Sequence, residues 1–194
     1  MNLPNKLTIV RLIIIPFFLI LMVVPLAWGT VTFLGATVPV AQLIATILFI
    51  VATITDNLDG RIARRDHLVT NFGKFTDPLA DKLLVMTAFI VLTASHAVPA
   101  WVTCIIIWRE LSVTGLRLLI VEQNGQVLAA KMPGKIKTTT QFIAIIFLLL
   151  HNAIFAIWNI PFGEIMLYIC LFFTIYSGVD YFIQGRGVFA DGFK

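Results

Sequence analysis

The sequence predicts an all-α, polytopic membrane protein of six transmembrane helices with both termini in the cytoplasm. Three observations predict it. The 194 residues are 59% hydrophobic and only 12% charged, against roughly 45–50% and about 25% for soluble domains. The apolar residues fall in six runs, each near the ~20 residues that a helix needs to cross a bilayer. Finally, the connections around 29–39, 94–100 and 151–162 carry no Lys or Arg, so that all fourteen basic residues lie on the other side of the array. The positive-inside rule makes that side the cytoplasm.

The elements follow in order. A first span over 9–28 comes after Lys6; its apolar run exceeds the usual 7–15 residues of a signal peptide and no A-x-A-like site follows, so it is expected to be retained. Spans over 40–58, 80–98, 99–120, 138–158 and 163–184 follow, the third and fourth joined by little more than "SHAVPA". Lys6 and Arg11 flank the first span. Arg61, Arg64, Arg65, Lys74 and Lys82 fall in the second connection, Arg109, Arg117, Lys131, Lys135 and Lys137 around the fourth, and Arg186 and Lys194 at the end. No internal repeat, low-complexity tract or soluble module interrupts the chain, which reads as one membrane domain over 1–194. Cys104 and Cys170 sit in apolar runs without zinc-site or disulfide spacing. The net charge of +4 is what membrane topology and anionic headgroups require; with no nucleic-acid-binding motif, no nucleic acid is expected as a partner.

One stretch breaks the apolar pattern: "DNLDGRIARRDHLVTNFGKFTDPLAD", residues 56–81. Asp56 and Asp59 are three apart and Asp77 and Asp81 four apart, spacings that put each pair on one face of a helix. The pairs fall where the second predicted span leaves the membrane and the third enters it. A short connection makes these helices antiparallel neighbours, so four carboxylates are expected to converge at the membrane edge. Carboxylates that close either raise one another's pKa or hold cations, and hard oxygen donors suit Mg²⁺ or Mn²⁺. Two such ions sharing a carboxylate would form a clamp for displacement at phosphorus. Gly60 and Gly73 leave room for a ligand near the backbone, Ala63 is small, and Arg64 can fork two hydrogen bonds onto a phosphate.

The pattern D56-N-L-D59-G60-R-I-A63-R64, eight residues, then G73-K-F-T-D77-P-L-A-D81 resembles the signature of the CDP-alcohol phosphatidyltransferase family at every defining position. The resemblance implies a six-helix fold binding two divalent metals, Mg²⁺ or Mn²⁺, through Asp56, Asp59, Asp77 and Asp81, with Asp81 also the general base. It implies that Gly60, Ala63, Arg64 and Gly73 line the cytidine diphosphate pocket of CDP-diacylglycerol. Near the N-terminus, where the family approaches the nucleotide, Asn5 and Thr8 are candidate cytidine contacts; the competing reading is an interfacial anchor in which Lys6 and Arg11 snorkel.

The signature identifies the donor and not the alcohol. "NLPNKLTIVRLIIIPFF", "WRELSVTGLR" at 108–117 and "GKIKTTTQ" at 134–141 look like the branch of the family that uses sn-glycerol 3-phosphate. That acceptor is a dianion, so cationic side chains are expected besides the metals: Arg109, Lys135 and Lys137 at the cytoplasmic ends of helices, and Arg117, which could instead pair with Glu110 or Glu122. The implied setting is the bacterial cytoplasmic (inner) membrane, with the active site facing the cytoplasm and the chain a homodimer. The alternatives are the same fold with serine, inositol phosphate or phosphatidylglycerol as acceptor, or a Mg²⁺-dependent intramembrane prenyltransferase, or an ion transporter. The prenyltransferase lacks the DG-then-AR continuation, and the transporter would place its acids nearer the bilayer midplane.

Overall fold

The computed structural model describes residues 3–65, 71–122 and 132–189, and within them the side chains other than those of 3–7, 56–65, 71–78, 81, 121–122 and 188–189. The chain is mostly helical and divides into two compact units: Met1–Ala97 with Ile146–Pro161, and Val98–Ile145 with Phe162–Lys194.

The first unit holds α1 (Leu3–Val23), α2 (Val40–Arg65) and α3 (Asn71–Ala94), with α1 packed against both α2 and α3. The buried positions of α2, Ala41, Ala45, Phe49 and Ala52, recur at helical spacing, and the three alanines allow the close backbone approach that packs helices where lipid gives no hydrophobic drive. Phe18 of α1 and Phe49 of α2 stand 6.1 Å apart between ring centroids and are both fully buried, as are Leu84, Ala88 and Phe89 of α3. Helix α1 begins before the predicted span and stops at Val23; the next residue, Val24, precedes Pro25, whose ring disfavours helical backbone there.

The connection between α1 and α2 contains an element that an all-α reading omits. Strands β1 (Thr30–Phe33) and β2 (Ala36–Pro39) pair antiparallel, Phe33 opposite Ala36. Leu34 and Gly35 both have positive φ, 48° and 81°, the primed-turn geometry that matches strand twist. A β-carbon at Gly35 would lie 2.7 Å from Ile157 Cγ1. The reason is the segment after α5 (Met132–Leu149), which ends nine residues short of the expected boundary and folds over the hairpin. There Ile154 N–H donates to Leu34 O at 2.9 Å, His151 Nδ1 donates to Thr37 O at 2.8 Å, and Gln42 Nε2 donates to Leu149 O at 2.8 Å. His151, Asn152 and Ile154 take φ of 51°, 57° and 77°, so the apolar run leaves the helix to make these bonds.

In the second unit α4 (Ala100–Glu122) packs against α6 (Phe162–Gly185), around a cluster of Val113, Leu116, Ile120 and Tyr181. Helix α6, with mean hydropathy 1.6, is the one helix among the described residues long and apolar enough to cross a membrane, and only 39% of that window is buried in the protein. Shorter apolar helical stretches run over Thr8–Val23, Val40–Thr55 and Lys82–Ala94. Large apolar side chains stand exposed on every one of these helices, among them Phe17, Ile54, Ile90, Trp108, Leu118 and Phe172, a surface that a protein in water rarely presents.

Candidate active site

The acidic motif lies on two helices of the first unit. Helix α2 runs unbroken through Arg65, so Asp56, Asp59, Gly60, Ala63 and Arg64 occupy its last turns; α3 starts at Asn71, so Gly73 is in its first turn and Asp77 and Asp81 follow a turn apart. Both pairs thus have the helical spacing expected of them, at the two helix ends joined by residues 66–70. Their side chains lie outside the described residues, as does that of Asn5. Among the described residues no group of three His, Cys, Asp or Glu could hold a metal. As a donor set, four carboxylates in two helical pairs suit a hard divalent cation.

Thr8 and Arg11, three apart on α1 and so on one face, are each 1% exposed. This corrects the snorkelling alternative for Arg11. Helix α1 packs on α2 and α3, and burying the Arg11 charge demands polar partners.

The second unit gathers three of the four basic candidates. Arg109 of α4 donates from Nη2 to Ser177 Oγ of α6 at 2.8 Å and from Nη1 to Glu110 Oε1 at 3.1 Å. Ser177 can accept because its own hydroxyl proton goes to Phe173 O, 2.6 Å away. Gly178 lets Arg109 lie flat on α6: a β-carbon there would come 3.1 Å from Arg109 Cγ. Lys137 of α5, 5% exposed, donates to the same Glu110 Oε1. Arg117 donates from Nη2 to Tyr181 Oη at 2.8 Å and does not use Glu110. The Tyr181 ring also lies under both guanidinium carbons, 5.2 Å from Arg117 and 5.9 Å from Arg109, within cation–π range.

These groups are under-supplied with acceptors. Arg109 Nε, Arg117 Nε and the Gln141 amide nitrogen are buried with no hydrogen-bond partner among the described residues; Gln141 is one turn beyond Lys137 on α5, hence on the same face. Every orphan is a donor, which is the pattern an anionic ligand would complete. Lys135 does not join them: two residues from Lys137, it is turned about 200° around α5 and is exposed. The contacts that Glu110, Ser177 and Tyr181 make with these cations, and the place of Gln141 beside Lys137, were missed from sequence. For the α6 pair there was a signal, since Thr174, Ser177 and Tyr181 put polar groups at helical spacing along an otherwise apolar span. Beside Arg109 a cleft of about 590 Å³ runs between α4 and α6, lined otherwise by apolar side chains such as Ile105, Trp108, Val179 and Phe182, together with Ser112 and Arg186. Its chemistry suits hydrocarbon rather than a phosphate.

Comparison with known proteins bears on both regions. Residues 1–176 match the family model described as CDP-alcohol phosphatidyltransferase. The chain is 51% identical over 181 residues, 93% of each partner, to the CDP-diacylglycerol–glycerol-3-phosphate 3-phosphatidyltransferase of Bacillus subtilis. It is 34% identical over 194 residues, 98% of each, to the protein of that name from Salmonella typhimurium, and 37% identical over 186 residues, 93% of this chain and 79% of the relative, to a probable phosphatidylglycerophosphate synthase of Mycobacterium tuberculosis. These matches set aside the prenyltransferase and transporter readings. A match over most of its length, taken in by a single family model that includes the whole acidic motif, makes this chain a member of the CDP-alcohol phosphatidyltransferase family.

Proposed function

We propose that this protein transfers a phosphatidyl group from CDP-diacylglycerol to the 1-hydroxyl of sn-glycerol 3-phosphate, giving phosphatidylglycerophosphate and CMP. The relatives' names support donor and acceptor together. The observation that carries the acceptor is a set of cations, buried Lys137 with half-buried Arg109 and Arg117, in which Glu110 pairs with Lys137 and Arg109 while the buried Nε atoms of both arginines have no partner among the described residues. A phosphate monoester dianion supplies both the charge and the acceptor atoms that this set lacks.

In this reading both units serve one catalytic domain in the bacterial cytoplasmic membrane. Six spans place both termini and the active site on the cytoplasmic side, the diacylglycerol tails stay in the bilayer, and the chain acts as a homodimer. The exposed apolar side chains on the helices are the surface that lipid would cover. Asp56, Asp59, Asp77 and Asp81 would hold two Mg²⁺ or Mn²⁺ ions, which when bound neutralise the diphosphate and polarise its phosphorus. Arg64 grips a phosphate of the donor with paired hydrogen bonds, while Gly60, Ala63 and Gly73 leave space for the cytidine diphosphate and Asn5 and Thr8 meet the base. The acceptor phosphate is held by Arg109, Arg117 and Lys137. Lys135, exposed, adds long-range attraction rather than a contact. Asp81 takes the proton of the attacking hydroxyl; the new oxygen–phosphorus bond forms as the bond from phosphorus to the departing CMP oxygen breaks, and no covalent enzyme intermediate is needed.

The test is release of CMP from CDP-diacylglycerol by the purified protein with a panel of acceptors. Release that depends on glycerol 3-phosphate and is lost on chelation is expected. Release with serine or inositol phosphate but not with glycerol 3-phosphate would refute the acceptor, and full activity after exhaustive chelation would refute the metals.

A further inference from the structure

We infer that Glu110 is a positioning residue for the acceptor: its carboxylate holds Lys137 and Arg109 in place as a preorganised, still unsaturated phosphate cradle. The inference rests on the acceptor reading above and adds to it a residue of opposite charge to the ligand.

Three observations carry it. One oxygen, Glu110 Oε1, accepts from both cations, Lys137 of α5 and Arg109 of its own helix, so a single carboxylate ties two helices at the point where the positive charge is concentrated. Both cations are nearly sealed from solvent, with Lys137 and Arg109 side chains 6% and 12% exposed and Glu110 13%. Two buried cations with no counter-charge would repel and would lose water's stabilisation; the carboxylate makes their proximity tenable. Finally, it does so without consuming them. Lys137 has three N–H donors and Arg109 five, of which Glu110 takes one from each and Ser177 one more from Arg109, while Arg109 Nε has no partner among the described residues. A long lysine fixed at its tip and a guanidinium fixed at both ends have already lost the rotamer freedom that binding a small dianion would otherwise cost.

A carboxylate beside a phosphate site could instead act as a competitor for the cations, and the two roles give opposite signs. The experiment measures CMP release by the full-length enzyme reconstituted with CDP-diacylglycerol, varying glycerol 3-phosphate and CDP-diacylglycerol in turn, for the parent, Glu110→Gln, Glu110→Asp, Lys137→Met and the Glu110→Gln/Lys137→Met double variant. Positioning predicts that Glu110→Gln raises the KM for glycerol 3-phosphate on the order of tenfold, leaves the KM for CDP-diacylglycerol unchanged, and changes kcat by less than about threefold. Glu110→Asp recovers part of the loss. In the Lys137→Met background the glutamine substitution adds less than about twofold, because a residue that acts through Lys137 has little left to act on. Should Glu110→Gln lower the melting temperature too far to assay, the aspartate variant and the double variant, which removes both charges of the pair together, decide the matter.

An unchanged or lowered acceptor KM in Glu110→Gln, or an equal rise for both substrates, overturns the inference while leaving the function in place. Failure of the parent to use glycerol 3-phosphate, or an unchanged acceptor KM in Lys137→Met, overturns the acceptor reading itself.

Discussion

The acids of the first unit and the cations of the second are assembled in different ways. Asp56, Asp59, Asp77 and Asp81 come from one stretch of chain and two helices, α2 and α3, that follow one another in sequence, so the pairing within each helix follows from helical spacing alone. Arg109, Glu110, Arg117, Lys137, Ser177 and Tyr181 come from three helices. Their grouping depends on how those helices are rotated against one another, with Lys137 and Glu110 27 residues apart and Arg117 and Tyr181 64 apart. In the proposed function the first kind of site is tied to a local pattern that has to be kept for the donor to bind. The second can be retuned by changing a face of α4, α5 or α6, which suits a family whose members share a donor and differ in the alcohol.

That contrast is open to attack by substitution, beginning with the largest effect. Asp81→Asn removes the proton acceptor while keeping the shape, and should cut turnover on the order of 10²–10⁴-fold at an unchanged melting temperature; near-parent turnover would take the base role away from Asp81. Arg64→Lys keeps the charge but loses the fork, so the KM for CDP-diacylglycerol should rise roughly tenfold with the acceptor KM unmoved. A rise in the acceptor KM alone would blur the division between the regions. Tyr181→Phe keeps the ring beneath both guanidiniums and deletes only the hydroxyl that Arg117 donates to. One such bond is worth about 1 kcal/mol, so the acceptor KM should rise about fivefold, and a change in the donor KM instead would disconnect Tyr181 from the acceptor. Lys135→Ala is the smallest: less than twofold, and vanishing as salt screens exposed charge. A large, salt-insensitive effect would return Lys135 to direct contact.

The same contrast explains what could be read from the sequence. All six helices and the aspartate motif were legible, because hydrophobic run length and i, i+3 or i, i+4 spacing are properties of one segment. The hairpin over 30–39 was not, although Leu34-Gly35 sits between two short runs rich in Thr and Val; four-residue strands carry little periodic signal, and here they are held by bonds from the segment after α5. That partnership also shortened α5, since Ile154 leaves the helical region to bond Leu34. Arg11 shows the remaining limit. A snorkelling arginine and a buried one have the same sequence neighbours, and only the rotation of α1 against α2 and α3 distinguishes them. The counter-charge role of Glu110 was hidden in the same way, since an acid next to Arg109 on a helix says nothing about a lysine on another helix.

The central claim of the proposed function is that the second unit's cations read the acceptor while the first unit's acids manage the donor. Steady-state CMP release by Lys137→Ala, titrated with each substrate in one preparation, tests it most directly. The KM for glycerol 3-phosphate should rise tenfold or more with that for CDP-diacylglycerol unchanged. Parallel rises in both, or no change in the acceptor value, would contradict the division of labour on which the proposed function stands.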